Sequence, residues 1–207
     1  MAILPIIPCG SCPGCATGEP FHCTNYQFLG SRNDGGFAEY CLVPEDNLFF
    51  LPEEVDLRIG AFIEPIAVAM HVLRRSAFQA GQSAIVFGAG SIGILIALWF
   101  KVFGASRVAI TDIRPESLQT AREVGLDEVF YARSAPHLPM HSFDAAFEAA
   151  GSAKALLSAI ESVHDRQGDV FQQSYTEDRL RVRASRGGDG LLIATTEISA
   201  TTKNRGD

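Results

Sequence analysis

Cys9, Cys12, Cys15 and Cys23 stand in the spacing C-x2-C-x2-C-x7-C, and only one other cysteine, Cys41, occurs in 207 residues. Pro13, Gly14, Gly18 and Pro20 lie among them, so the segment is predicted to be neither helix nor strand. Four thiolates close together on an irregular loop suit a tetrahedral metal, of which zinc is the usual one. Such a metal holds a loop that has too little apolar side chain to hold itself. Two other chemistries use clustered cysteines. Disulfides need an oxidising compartment; the start, MAILPIIPCG, lacks a basic region and its apolar run is broken by prolines, which makes a poor signal peptide. An iron–sulfur cluster often uses C-x2-C-x2-C, but with a fourth cysteine three residues on and before proline. Here it comes seven residues on and before Thr24. Cys41, in GGFAEYCLVP, reads as a buried small residue, and His22 as a loop residue beside an already complete quartet.

The second chemical signal is Gly88-Ala89-Gly90-Ser91-Ile92-Gly93, which follows the apolar run Ala84–Phe87 and opens an apolar helix. A G-x-G-x-x-G in that context is a dinucleotide fingerprint. Gly88 permits the tight turn, Gly90 lets a pyrophosphate approach the backbone, and Gly93 lets helix and strand pack closely. The N–H groups at the helix start, near Ser91 and Ile92, face the phosphates. Asp112 ends the next predicted strand, 19 residues after Gly93. A carboxylate there accepts the ribose hydroxyls and repels a 2′-phosphate, so NAD is favoured over NADP; Arg114 blurs the preference slightly.

These residues need a frame. Strands are predicted at Ala84–Phe87, Arg107–Thr111, Asp127–Tyr131 and Phe143–Ala149, and helices at Ser91–Phe103, Pro115–Val124 and Ala153–Val163. Their alternation predicts an α/β class with a Rossmann-type parallel sheet covered by helices. A helix is predicted from Pro65, with proline at its first position. Short strands are expected over Gly35–Leu51. The organisation expected is 1–60, 61–163 and an atypical, arginine-rich end over 164–207, disordered or out of frame. One short strand, Leu191–Ala194, is expected within that end, and the closing SATTKNRGD is expected to be disordered. The net charge of −7 argues against a nucleic-acid partner. Arg75–Lys101 encloses a long uncharged stretch, but its glycines mark it as strand, turn and helix rather than a membrane span. Cytoplasm is the default compartment.

Together, the cysteine quartet and the glycine turn resemble the zinc-containing medium-chain alcohol dehydrogenases, over about residues 5–163. The quartet resembles the family's structural-zinc lobe, a remnant of its GroES-like β domain. GGFAEY at 35–40 matches the strand that returns from the lobe. Phe62-Ile63-Glu64-Pro65 resembles the segment carrying a catalytic-zinc ligand, and Glu-Pro there is similar to the polyol branch. The runs FLGSRNDGGFAEY and GAFIEPIAVAMHV are most like that branch's sugar-alcohol-phosphate dehydrogenases. The resemblance implies an NAD-dependent oxidoreductase in which zinc polarises a secondary hydroxyl of a polyol or sugar-alcohol phosphate and hydride passes to the nicotinamide. It implies that Glu64 ligates that zinc directly or through water. It implies that Phe28 and Ser31 line the substrate pocket, and that Arg32 meets a substrate phosphate. It also implies a homodimer or homotetramer. From the residues alone, Glu64 reads rather as a helix-start acid, which the resemblance reverses, and His71 reads as a packed helix histidine.

Two departures from the pattern shape the expectation. Family members carry a long segment ahead of the lobe, with a zinc-ligating cysteine, a Gly-His-Glu motif and the hydroxyl that begins a proton relay. No residues here match it. One carboxylate falls short of the three protein ligands a catalytic zinc takes, so the chain reads as a fragment. Activity or, alternatively, an inactive zinc- and dinucleotide-binding piece is expected of it. The end from Asp165 also departs, leaving an open sheet edge and low stability as the expectation.

Overall fold

The computed structural model describes residues 1–134 and 138–164 in full, and the backbone of three strands at 169–172, 181–187 and 190–196. The chain divides into two units, Met1–Ile63 and Glu64–Asp207.

The first unit is built from short pairings. Strands β1 (Ala2–Ile3) and β2 (Ile6–Ile7) precede the one-turn helix α1 (Pro13–Ala16); β3 (Gln27–Phe28) and β4 (Leu48–Phe49) follow. β1 pairs with β4 and β2 with β3, both antiparallel. Asn47 ties these pairs together. It is buried, its Nδ2 donates to the carbonyls of Leu4 at 2.7 Å and Ile6 at 2.8 Å, and its own carbonyl accepts the Leu4 N–H. A buried amide that satisfies two backbone carbonyls costs little to bury and much to remove. Helix α2 (Leu57–Gly60) starts at Asp56, whose Oδ1 accepts the N–H groups of Arg58 and Ile59, as an N-cap should.

The short strands expected over Gly35–Leu51 are reduced to β4. Gly35–Val43 is irregular, with Phe37, Tyr40 and Leu42 almost fully exposed. β-propensity needs a neighbouring strand and a face to cover, and GGFAEY has neither among the described residues. For the same reason Cys41, expected buried, is only half-buried.

The second unit begins with α3 (Ile63–Ser76), which buries Ala69 and Leu73. Pro65 is its third residue rather than its first; the first four helical N–H groups need no intrahelical partner, so the ring is tolerated there too. His71, expected to be packed, lies on the exposed side of α3. Strand β5 (Ser83–Phe87) is buried at every position, the pattern of a central parallel strand covered on both faces. Helix α4 (Ser91–Val102), β6 (Arg107–Asp112), α5 (Pro115–Glu123), β7 (Glu128–Tyr131), β8 (Ala145–Glu148) and α6 (Ala153–Ser162) follow. Pro115 opens α5 with Glu116 in its first turn, where fixed φ and negative charge both favour a helix start.

Strands β9 (Asp169–Gln172), β10 (Arg181–Gly187) and β11 (Gly190–Thr196) complete a seven-stranded sheet in the order β11-β10-β9-β8-β5-β6-β7. The five strands β9 to β7 in that order are mutually parallel, and β10 runs antiparallel to both of its neighbours, β9 and β11. This is the expected Rossmann-type sheet, with one correction. Within 164–207, β11 contains the expected strand Leu191–Ala194, β9 and β10 are strands that were not expected, and β9 covers the β8 edge that was expected to be open. β10 and β11 pair from Arg181 with Thr196 to Gly187 with Gly190. The disorder expected of SATTKNRGD lies outside the described residues.

The core has two faces. On one, Phe100 stacks against Phe147 and Phe78 with ring centroids 4.5 Å apart, beside Leu73, Ile96, Ile110 and Leu118. On the other, Ile85, Phe87, Phe143 and Ala146 pack with Ala159 of α6. Each such buried side chain contributes about 1.5–3 kcal/mol by leaving water. At the amino end of the sheet, Asp144 accepts the Ser83 N–H at 2.7 Å and hydroxyl at 2.8 Å, and Arg107 grips Glu128 with two nitrogens between 2.6 and 2.8 Å. These clamps tie β5 to the start of β8, and β6 to β7, at the end of the sheet opposite the glycine loop. No helix among the described residues is long and apolar enough to cross a membrane.

Candidate zinc and dinucleotide sites

The four cysteine sulfurs of the first unit lie within 4.8 Å of one another. Cys9 Sγ is 4.0 Å from Cys15 Sγ, and Cys12 Sγ is 3.5 Å from Cys15 Sγ. A disulfide needs about 2.05 Å, and all five cysteines are free thiols. Four sulfurs about 2.3 Å from one tetrahedral zinc would stand about 3.8 Å apart, which the observed spacings bracket. The donor set therefore fits zinc. The loop is less irregular than expected: Pro13 opens the single turn of α1, and a 3-10 turn runs over Pro20–His22. A proline at the first helical position sacrifices no hydrogen bond, so prolines here start turns rather than prevent them.

The backbone prepares the thiols for a cation. Cys12 is pulled down to about 5, chiefly by the N–H groups of Cys15 and Thr24. Cys9 is lowered, first by the Ser11 N–H and then by the Ser11 hydroxyl. Cys15 is pushed up to about 11, first by burial and then by the neighbouring Cys12 sulfur. Negative charge held by N–H groups, with a proton retained at the most crowded thiol, is what a dication would neutralise and displace. His22 stays outside the quartet, with Nδ1 on Glu19 Oε2 at 2.9 Å.

In the second unit the glycine loop sits between β5 and α4. Gly88 has φ +110, and a Cβ there would lie 2.8 Å from the Ala149 carbonyl carbon and the Ala150 nitrogen. A Cβ on Gly93 would lie 1.8 Å from the Gly88 oxygen. Those two glycines are required by the protein itself. Gly90 differs: its φ is −76 and a Cβ would meet nothing within 4 Å. Open space over a residue that caps α4, with no side chain capping it, is a cradle suited to a phosphate. Asp112 closes the loop, with Oδ2 accepting the Ala89 N–H at 2.7 Å and Oδ1 the Arg114 N–H at 2.8 Å. The loop, the helix start at Ser91 and Ile92, and the carboxylate thus meet at the carboxyl end of the sheet, and the set fits a dinucleotide.

The remaining predicted residues fall in two places. Phe28, Ser31 and Arg32 share one turn, in which the Phe28 carbonyl accepts the N–H groups of Ser31 and Arg32. The Arg32 guanidinium lies 4.1 Å over the Tyr26 ring and donates to the Tyr26 carbonyl and hydroxyl. Glu64 is exposed in the first turn of α3. The cysteine quartet is the one cluster able to hold a metal among the described residues. Glu64 by itself does not make a catalytic-zinc site. Glu148, at the end of β8, escaped the sequence reading; its position one register row from the glycine loop is visible only in the sheet.

A cysteine-quartet lobe on short strands, followed by a nucleotide-binding parallel sheet, is the construction of the zinc-containing medium-chain dehydrogenases, and the chain belongs to that family. Residues 1–53 match the alcohol dehydrogenase GroES-like domain. Its relatives lie in the polyol branch. The chain is 39% identical over 140 residues to galactitol 1-phosphate 5-dehydrogenase of Escherichia coli (strain K12), an alignment covering 67% of this chain and 40% of that protein. It is 31% identical over 171 residues to sorbitol dehydrogenase of Bacillus subtilis (strain 168), covering 79% of this chain and 48% of that one. The crystal structure of galactitol-1-phosphate dehydrogenase from Escherichia coli superposes with a TM-score of 0.69 at 34% identity, over 80% of this chain and 50% of that one. The chain therefore spans less than half the length of these curated relatives.

Proposed function

We propose that this chain forms part of an NAD-dependent, zinc-containing oxidoreductase that oxidises a secondary hydroxyl of a polyol or sugar-alcohol phosphate to the ketone. The observation that carries this reading is the open cradle over Gly90, with Asp112 fixed at its rim. NAD, when bound there, supplies the hydride acceptor. The chain's own residues hold it. The first-turn N–H groups of α4 face the pyrophosphate, and Asp112 accepts from the adenosine ribose and disfavours a 2′-phosphate. The cysteine quartet holds a structural zinc that keeps residues 9–23 folded. Phe28, Ser31 and Arg32 are proposed to contact substrate. Arg32 uses two of its donors on Tyr26 and keeps others for phosphate oxygens. Glu64 is proposed as one ligand of a catalytic zinc whose other ligands lie outside the described residues.

A second reading is favoured by one observation, the single metal-holding cluster among the described residues. In it, the 207-residue chain is a zinc- and dinucleotide-binding piece without turnover. Metal analysis and an NADH-formation assay with galactitol 1-phosphate and sorbitol separate the two. Two zincs per chain with turnover supports the enzyme; one zinc and NADH binding without turnover supports the binding piece. A chain that binds neither zinc nor NADH sinks both.

A further inference from the structure

Across β5, β6 and β8 the middle register rows are apolar, and the row at the carboxyl end is not. Ile85 aligns with Ala109 and Ala146, and Val86 with Ile110 and Phe147. Phe87 aligns with Thr111 and Glu148. Glu148 is fully buried, with 0% of its surface accessible. A carboxylate at that depth is costly unless it does something specific. Its Oε1 accepts the Ala150 N–H at 2.8 Å and the Ser152 N–H at 3.2 Å. Its Oε2 is buried without a hydrogen-bond partner among the described residues. The two bonds through Oε1 set the shape of the turn leaving β8, and Ala149 N–H fixes its start on the Phe87 carbonyl at 2.8 Å. That same turn presses on Gly88, where an added Cβ would meet Ala149 and Ala150 at 2.8 Å.

The position of this turn gives it a purpose. The chain runs outward from β5 through β6 to β7, then returns to β8 on the other side of β5, so the topological switch point lies between β5 and β8. Ligands of such sheets lie in the crevice at that point. With the adenosine ribose at Asp112 beyond β6 and the pyrophosphate at α4, the other half of a dinucleotide must cross toward β8.

We propose that Glu148 is a positioning residue for the nicotinamide half of the cofactor: it holds the Ala149–Ser152 turn as the wall against which that half lies. The inference rests on the dinucleotide reading. It requires side-chain length and two acceptor bonds, not negative charge. Glu148→Gln keeps an oxygen for both N–H groups, whereas Glu148→Asp keeps the charge but withdraws the oxygen by one methylene.

The test titrates the full chain and both variants with NADH and with AMP, which reports only the adenosine side, and records a thermal melt for each. Glu148→Asp is expected to weaken NADH about ten-fold, from the loss of one or both acceptor bonds to the turn, with AMP affinity unchanged. Glu148→Gln is expected to bind both like the wild type. Equal losses of NADH and AMP in Glu148→Asp would show a merely structural role and overturn the inference. So would a selective NADH loss in Glu148→Gln with Glu148→Asp intact, which would make the charge the active property. A wild-type chain that binds AMP but not NADH also overturns it, while one that binds neither removes the dinucleotide reading itself.

Discussion

Asp112 and Ala89 are joined by a 2.7 Å hydrogen bond from the Ala89 N–H to Oδ2, so the carboxylate at the end of β6 braces the loop that follows β5. The Arg114 N–H holds the other oxygen at 2.8 Å, and Arg114 Nε stands 3.6 Å from it. One aspartate thus shapes the glycine loop and places negative charge beside it.

Replacing Asp112 by Asn keeps an acceptor for one N–H but removes that charge. NADH affinity is expected to fall about ten-fold, and the preference over NADPH to narrow, because a 2′-phosphate no longer meets a carboxylate. Fluorescence titration with both cofactors measures it. An unchanged NADH-to-NADPH ratio would mean that Asp112 takes no part in discrimination.

Gly90 and Gly93 should separate binding from stability. A Cβ at Gly93 collides with the Gly88 oxygen, backbone that cannot swing away, so Gly93→Ala should cost at least about 1–3 kcal/mol in urea unfolding. A Cβ at Gly90 collides with nothing, so Gly90→Ala should stay within about 0.5 kcal/mol of the wild type. NADH affinity should nevertheless drop for Gly90→Ala, since the cradle is filled. Normal NADH binding by that variant would remove the phosphate role of Gly90.

The quartet predicts one tightly held zinc on Cys9, Cys12, Cys15 and Cys23. Substituting Cys12 by Ser should abolish stoichiometric zinc in elemental analysis and lower the melting temperature, whereas Cys41→Ser should leave both as they are. Chelation should make residues 9–23 exchange amide hydrogens freely, because metal binding and folding of the lobe are one equilibrium. Protection that survives chelation would show a lobe that folds without metal.

Asp144 supplies a pH signature. Burial raises its carboxyl, but the Ser83 N–H, the Ser83 hydroxyl and the His164 charge outweigh this, and the net shift is downward. A carboxylate with a folded pKa below its unfolded value contributes stability fully present above the unfolded value, about 3.9. That stability is lost as pH falls through the lower folded value. Asp144→Ala should therefore cost about 1–3 kcal/mol at neutral pH, and the gap should close below about pH 4. A gap independent of pH would mean the clamp acts without its charge.

Much of this protein was legible in the residues. The C-x2-C-x2-C-x7-C spacing announced a metal loop because thiolates that near in sequence can hardly avoid one another in space. The alternation of apolar strands with amphipathic helices from Ser83 to Ser162 announced the parallel sheet because periodicity is a local property. The glycine turn and Asp112 could be paired across 19 residues because the unit between them is stereotyped. Other features had no local signature. GGFAEY has the composition of a strand, yet Phe37 and Tyr40 lie exposed, since a strand exists only with a partner. In the polar, arginine-rich segment after His164 only Leu191–Ala194 read as a strand, yet its backbone adds β9 and β10 as well, because pairing outward from β8 supplies what composition does not. Glu148 looked like the end of an apolar strand. Residue types and spacings by themselves determined the cysteine cluster, the glycine loop and the class of fold, because each is encoded within a short stretch of chain. Only the tertiary structure decided that Asp112 braces Ala89 and that Glu148 is buried beneath the turn facing Gly88. Those relations join different strands, and a single strand's sequence does not say which others will lie beside it.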